Sequence, residues 1–222
     1  MAYDIKWGSD YKGAGEFLAS SVMNKLKKGK KVLLFLTGGS SIKVGIFASH
    51  IFEGNDYNNL VITLTDERYG KIGHSESNWQ GLINEGFNPS RARLYPILNG
   101  KGIKETVYDF NKFLKSEINE SDYKIGLFGV GVDAHTAGIL PYTIGVDSND
   151  FAVGYDTEKF RRITITQKTI SMLDEAILFM HGKEKWEVLN ILKKEKVDLD
   201  FTPVVLLKNV PKFTIFTDKQ NI

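Results

Sequence analysis

The sequence has 222 residues, 42% hydrophobic and 25% charged, an ordinary globular composition in a chain long enough to bury a core without disulfide or metal staples. Its 29 Lys and Arg against 27 Asp and Glu leave a formal charge of +2, so no global field draws it to nucleic acid. With no cysteine, disulfides, thiolate catalysis and Cys-ligated zinc are excluded, and the four histidines, His50, His74, His135 and His181, are too scattered to suggest a metal cluster.

The first residues, "MAYDIKWGSDYKGAGEF", lack a basic stretch followed by an apolar one, and no apolar run approaches the ~20 residues that span a bilayer. The expectation is a cytoplasmic protein with no membrane partner. Residues 11 to 28 place Phe17, Leu18, Val22 and Leu26 near helical spacing and stop before Gly29, which predicts a helix. Val32 to Leu36 then reads as a strand running into Thr37-Gly38-Gly39-Ser40-Ser41 and an amphipathic segment: strand, glycine loop, helix.

The pattern returns at Leu60 to Leu64, which ends in the polar tip Asp66-Glu67-Arg68, and at Lys124 to Phe128, which ends in Gly129 to His135. Further strands are expected at Ile163 to Ile165, Ala176 to Met180, Val204 to Leu207 and Phe213 to Phe216, and long surface loops around residues 69 to 80 and 142 to 160. Strands apolar on both faces, alternating with helical patterns, predict an α/β fold. The expectation is a mostly parallel sheet with helices on both faces, in one domain over residues 1 to 222.

In such a sheet ligands bind outside the carboxyl ends of the strands, so the three polar tips are the candidate site. In "TGGSS", Gly38 and Gly39 let backbone N–H groups approach an anion, and Ser40 and Ser41 supply hydroxyls; the alternative is a plain turn with Ser as helix N-cap. The stretch is neither a Walker loop nor a dinucleotide fingerprint. Asp66-Glu67-Arg68 reads as a functional cluster or as a surface ion-pair network. In "GVGVDAHTAGILP", Gly131 suits a tight turn beside a ligand. Asp133 and His135 suit general acid-base catalysis, because a carboxylate fixes the imidazole tautomer; the alternative is an N-capping Asp with an incidental histidine. No GxSxG elbow is present for a serine hydrolase.

Taken in order, "LTGGSS", "TDERYG" with Ser77-Asn78, "GVGVDAHTAGILP", "RRITIT" and "HGKEKWEVL" resemble the 6-phosphogluconolactonase family, related to the glucosamine-6-phosphate isomerase/deaminase group, from about residue 32 to 217. The resemblance implies a Rossmann-like α/β domain that hydrolyses 6-phospho-D-glucono-1,5-lactone in the oxidative pentose phosphate pathway, with no metal and no organic cofactor. It implies that His135 deprotonates the attacking water and Asp133 orients its ring. Gly38, Gly39, Ser40, Ser41, Asp66, Arg68, Asn78 and Gly131 would line the substrate site. Arg162, rather than Arg161, and Lys183 would hold the 6-phosphate.

Some positions depart from the family pattern. Ala134 replaces a glycine, Gly138 a serine, Ile139-Leu140 a Leu-Phe pair, and the proline soon after "DER" is missing. Alanine at 134 would be strained if the backbone there needs positive φ. The isomerase group resembles the chain at the paired glycines and at Asp66. It has Asp-Glu-Tyr where this sequence has Asp66-Glu67-Arg68, and a glutamate five residues after the histidine where this sequence has Leu140, which favours the lactonase. A sugar-phosphate-binding protein without catalysis is the other alternative, and the Asp133/His135 pair speaks against it.

Overall fold

The structure, a computed structural model, describes residues 3–52, 57–89, 91–194 and 197–220. In chain order its strands are β1 (Asp4–Lys6), β2 (Val32–Leu36), β3 (Leu60–Leu64), β4 (Asp66–Arg68), β5 (Arg93–Leu94), β6 (Tyr123–Phe128), β7 (Ala152–Asp156), β8 (Arg161–Ile165), β9 (Glu175–Met180) and β10 (Lys212–Thr217). The helices are α1 (Tyr11–Leu26), α2 (Ile42–Phe52), α3 (Asn78–Asn84), α4 (Ile103–Glu120), α5 (Gln167–Ser171) and α6 (Trp186–Lys193). Among the described residues no helix is long and apolar enough to cross a membrane.

Seven strands form one sheet in the order β1-β10-β9-β6-β2-β3-β5, and every neighbouring pair is parallel. Side chains alternate between faces along a strand, yet every residue of β2, β3 and β9 is buried. Both faces of the sheet are therefore covered, the condition under which parallel strands are apolar throughout. On one of them α1 packs across β2, β6 and β9, presenting Ala14, Leu18 and Val22 at helical spacing, and Asp10 caps its first turn by accepting the Gly13 N–H at 2.9 Å.

Strands β4, β8 and β7 form a second, antiparallel sheet, which β4 enters directly after the carboxyl end of β3. Residues 152–156, within the stretch expected to be a surface loop, are thus strand β7; Asn111 of α4 anchors them by accepting from the Ala152 N–H at 3.0 Å and donating to the Ala152 carbonyl at 2.7 Å. The loop expected at 69 to 80 closes in α3, capped by Ser77, whose hydroxyl accepts the Gln80 N–H at 3.1 Å.

The strand expected at Val204 to Leu207 is instead part of a 3-10 helix, Pro203–Asn209. Periodicity does not separate a short apolar run that is buried all round from a buried strand; Pro203 at its first turn, where the missing N–H is not needed, is the local sign of a helix.

Strand order reverses between β2 and β6, because the chain moves outward through β3 on one side and through β9 and β10 on the other. Loops leaving the carboxyl ends of β2 and β6 diverge there and leave a crevice.

Candidate active site

A cavity of about 250 Å³ fills that crevice. Its walls are Thr37 to Ser41 after β2, Asp66 and Arg68 of β4, Asn78 at the start of α3, Gly129 to Gly131 and His135 after β6, Arg162 of β8, and Lys185. Strands distant in sequence bring these groups together: β4 and β8 pair with Arg68 opposite Arg162 and Asp66 opposite Thr164.

The glycine loop meets the cavity in a 3-10 turn, Gly39–Ser41, with no side-chain cap, so the alternative of a serine N-cap does not apply. Gly39 has φ 63, and at Gly38 a Cβ would overlap the Asn78 amide. Ser40 Oγ accepts from Lys185 Nζ at 3.0 Å, while the buried Ser41 hydroxyl donates to the Phe179 carbonyl at 3.2 Å and ties the loop to β9.

After β6 no helix follows, so Asp133 is not an N-cap. The chain folds back on itself instead, with Val130 bridged to Thr136, the Gly131 N–H on the His135 carbonyl at 3.1 Å, and the Ala134 N–H on the Gly131 carbonyl at 3.1 Å. Ala134 lies at φ 63, the left-handed conformation anticipated as strained for alanine, and Ala137 at φ 51. Neighbours hold the loop in place: the Ala134 carbonyl accepts the Val204 N–H at 3.0 Å, and the Gly138 N–H donates to Thr164 Oγ1 at 3.0 Å.

Asp133 Oδ1 lies 2.6 Å from His135 Nδ1. A carboxylate only accepts, so Nδ1 carries the proton and Nε2 is left as the basic nitrogen. The same hydrogen bond holds the Asp133 carboxyl below the usual carboxylate range, against the opposing effect of partial burial.

The same cavity carries cations. Arg162 Nη1 is 3.5 Å from Asp66 Oδ2, Arg68 Nη1 donates to the Glu76 carbonyl at 3.0 Å, and the two guanidiniums flank the Phe160 ring at 5.9 and 5.0 Å. The Nε groups of both arginines are buried without a hydrogen-bond partner. Arg161 points away and pairs with Asp156 at 2.6 Å. Lys183, the expected phosphate lysine, does not line the cavity; Lys185 does. Both belong to a 3-10 turn, where at about three residues per turn side chains two apart diverge, so only one of them faces the crevice.

Two contributors escaped the sequence reading. Lys185 sits in the same "HGKEK" motif, two residues past the expected one. Glu67 lies between cavity residues in β4, and strand alternation turns it to the other side, where it is fully buried. Burial pushes its carboxyl up, and four hydrogen-bond donors pull it back in part. Among the histidines, His50 meets the Gly86 carbonyl at 3.0 Å, His74 the Arg68 carbonyl at 2.9 Å, and His181 stacks on Phe179. Among the described residues no three His, Cys, Asp or Glu side chains gather as a metal site.

Comparison with known proteins gives consistent results. The model of the family described as glucosamine-6-phosphate isomerases/6-phosphogluconolactonase matches residues 11–214. A 6-phosphogluconolactonase of Thermotoga maritima is 20% identical over 192 residues, 82% of this chain and 86% of that protein. The crystal structure of 6-phosphogluconolactonase from the same organism superposes with a TM-score of 0.80 at 21% identity, over 97% of this chain and 99% of the other. That from Leishmania guyanensis gives 0.80 at 17% identity, over 98% and 96%. A monomeric glucosamine-6-phosphate deaminase gives 0.77 at 18% identity, over 96% of each chain, so the fold by itself does not separate the two activities. The chain belongs to the glucosamine-6-phosphate isomerase/6-phosphogluconolactonase family.

Proposed function

We propose that this chain hydrolyses 6-phospho-D-glucono-1,5-lactone to 6-phospho-D-gluconate, with His135 as general base. The observation that carries the reading is the Asp133/His135 pair, 2.6 Å apart, on the wall of a cavity whose other walls carry Arg68, Arg162 and Lys185. A lactone is an activated ester, so one base and a few donors for the tetrahedral oxyanion are sufficient.

His135 Nε2 takes a proton from water as the water oxygen bonds to the lactone carbonyl carbon. Collapse of the tetrahedral intermediate breaks the bond to the ring oxygen, which receives that proton from His135. The new carboxylic acid then ionises. Asp133 keeps its proton-accepting role toward Nδ1 throughout and supports the imidazolium. A guanidinium grips phosphate in two-point fashion and an ammonium adds a point charge, which suits Arg162 and Lys185 to the 6-phosphate.

The isomerase chemistry of the same family needs a further carboxylate after the histidine, and Leu140 supplies an apolar side chain there. A coupled assay with freshly generated 6-phosphogluconolactone, run beside glucosamine 6-phosphate and corrected for spontaneous hydrolysis, tests the proposal. Lactone turnover that falls by about 10²–10⁴-fold in His135→Ala is expected. Turnover of the amino sugar alone, or of neither substrate, would overturn it.

A further inference from the structure

Glu67 takes no part in the reaction proposed above, yet it is a fully buried carboxylate between two cavity residues. Its Oε1 accepts the Asn78 N–H at 2.6 Å and the Arg68 N–H at 2.8 Å; its Oε2 accepts the Ser77 hydroxyl at 2.9 Å and the Trp79 N–H at 3.0 Å. None of these four donors is a cation. Burying a carboxylate on such terms is costly, and here the offset comes largely from the unpaired N–H groups that open α3 and the hydroxyl that caps it.

What the carboxylate holds is specific. The Asn78 amide nitrogen donates to the Asp66 carbonyl at 3.0 Å, and its side chain fills the space a Cβ on Gly38 would need. Asn78 therefore joins the β2 wall of the cavity to the β4 wall, and its backbone is fixed by Glu67. The same carboxylate fixes the backbone of Arg68, whose side chain also lines the cavity.

We propose that Glu67 is a positioning residue of this site, setting Asn78 and Arg68 in register as the surface on which the sugar lactone lies. For its substrate the proposal rests on the lactonase reading; for its geometry it does not. A purely structural Glu67 would lower stability and leave the kinetics of the folded enzyme unchanged.

Glu67→Gln keeps the shape, but its NH₂ group replaces the acceptor of Asn78 and Arg68 in one orientation and that of Trp79 in the other. Amide exchange of the full chain should quicken by about ten-fold or more at Asn78 or Trp79, with β3 unchanged. KM for 6-phosphogluconolactone should rise by about ten-fold, with the pH profile of kcat retained. The double variant Glu67→Gln/Asn78→Ala should cost less than the product of the two single effects, because Glu67 acts in part through Asn78. If Glu67→Gln does not fold, Ser77→Ala, which removes one of the four donors, should give the same changes at smaller size. Unchanged exchange at Asn78 and Trp79, or kinetic effects that multiply in the double variant, would overturn the assignment. A wild-type chain that leaves the lactone untouched overturns the functional reading alone, and the exchange measurement then decides the role of Glu67.

Discussion

Gly131 donates its N–H to the His135 carbonyl at 3.1 Å, in a loop so tight that a Cβ at position 131 would overlap both His135 Nδ1 and Asp133 Oδ1. The glycine is required by the reacting pair rather than by its own backbone angles. Gly131→Ala should therefore lower lactone turnover by on the order of 10²-fold, as misplacement of a catalytic group does, with a much smaller effect on the unfolding midpoint. Parallel assay and thermal denaturation check this; full turnover would show that the pair tolerates displacement.

The hydrogen bond from His135 that depresses the Asp133 carboxyl also links stability to pH. A carboxyl with a lowered folded-state value contributes stability that is complete above its unfolded value, about 3.9, and is lost as pH falls through the lower folded value. Urea titrations of the wild type and Asp133→Asn should show a gap that is present at about pH 5 and closes as pH falls below about 4. A gap of unchanged size at about pH 2 would contradict the sign.

Two neighbouring arginines and two neighbouring lysines provide internal controls. Arg162→Ala and Lys185→Ala should raise KM for the phosphorylated lactone far more than for unphosphorylated gluconolactone, because each removes a cavity cation. Arg161→Ala, which loses an exposed pair to Asp156, and Lys183→Ala, outside the cavity, should change either value by less than about two-fold. Equal effects at 161 and 162 would remove Arg162 from the phosphate site.

Ala134 is held at φ 63 and is buried. Left-handed backbone costs an L-residue about 1–2 kcal/mol, and a β-branched side chain is the worst accommodated. Ala134→Val should destabilise by at least about 1–2 kcal/mol. Ala134→Gly should stay within about 1 kcal/mol of wild type, since relief of strain is offset by a lost methyl and a looser unfolded chain. Equilibrium denaturation separates the two outcomes.

Strands β2 and β3 and the three polar tips were legible because they rest on local signals. A continuous apolar run is a buried strand, and the polar turn that ends it must emerge at the carboxyl edge of a parallel sheet. β2 and β3 have the bounds read from sequence, and Gly38, Asp66, Asn78, Gly131, His135 and Arg162 all line one cavity. The strain of an alanine at a positive-φ position is likewise local, and Ala134 has φ 63.

Other features depend on what lies across the fold. Whether Lys183 or Lys185 faces the crevice depends on the phase of a single turn after β9, and the hydrogen bond from Lys185 to Ser40 marks the answer. The segment at Val204 to Leu207 is buried throughout, which suits a strand and a 3-10 helix equally; β7 forms in a polar stretch because β8 and Asn111 offer it partners. Glu67 looks like one more charge in "TDER", and only the Ser77 hydroxyl and the opening N–H groups of α3, ten to twelve residues on, make it a buried acceptor. By itself the sequence determined which residues reach the carboxyl edge of the sheet, since that follows from period and strand direction. Which of them meet was decided by tertiary structure, because a side chain's partners come from packing between segments that no local pattern encodes.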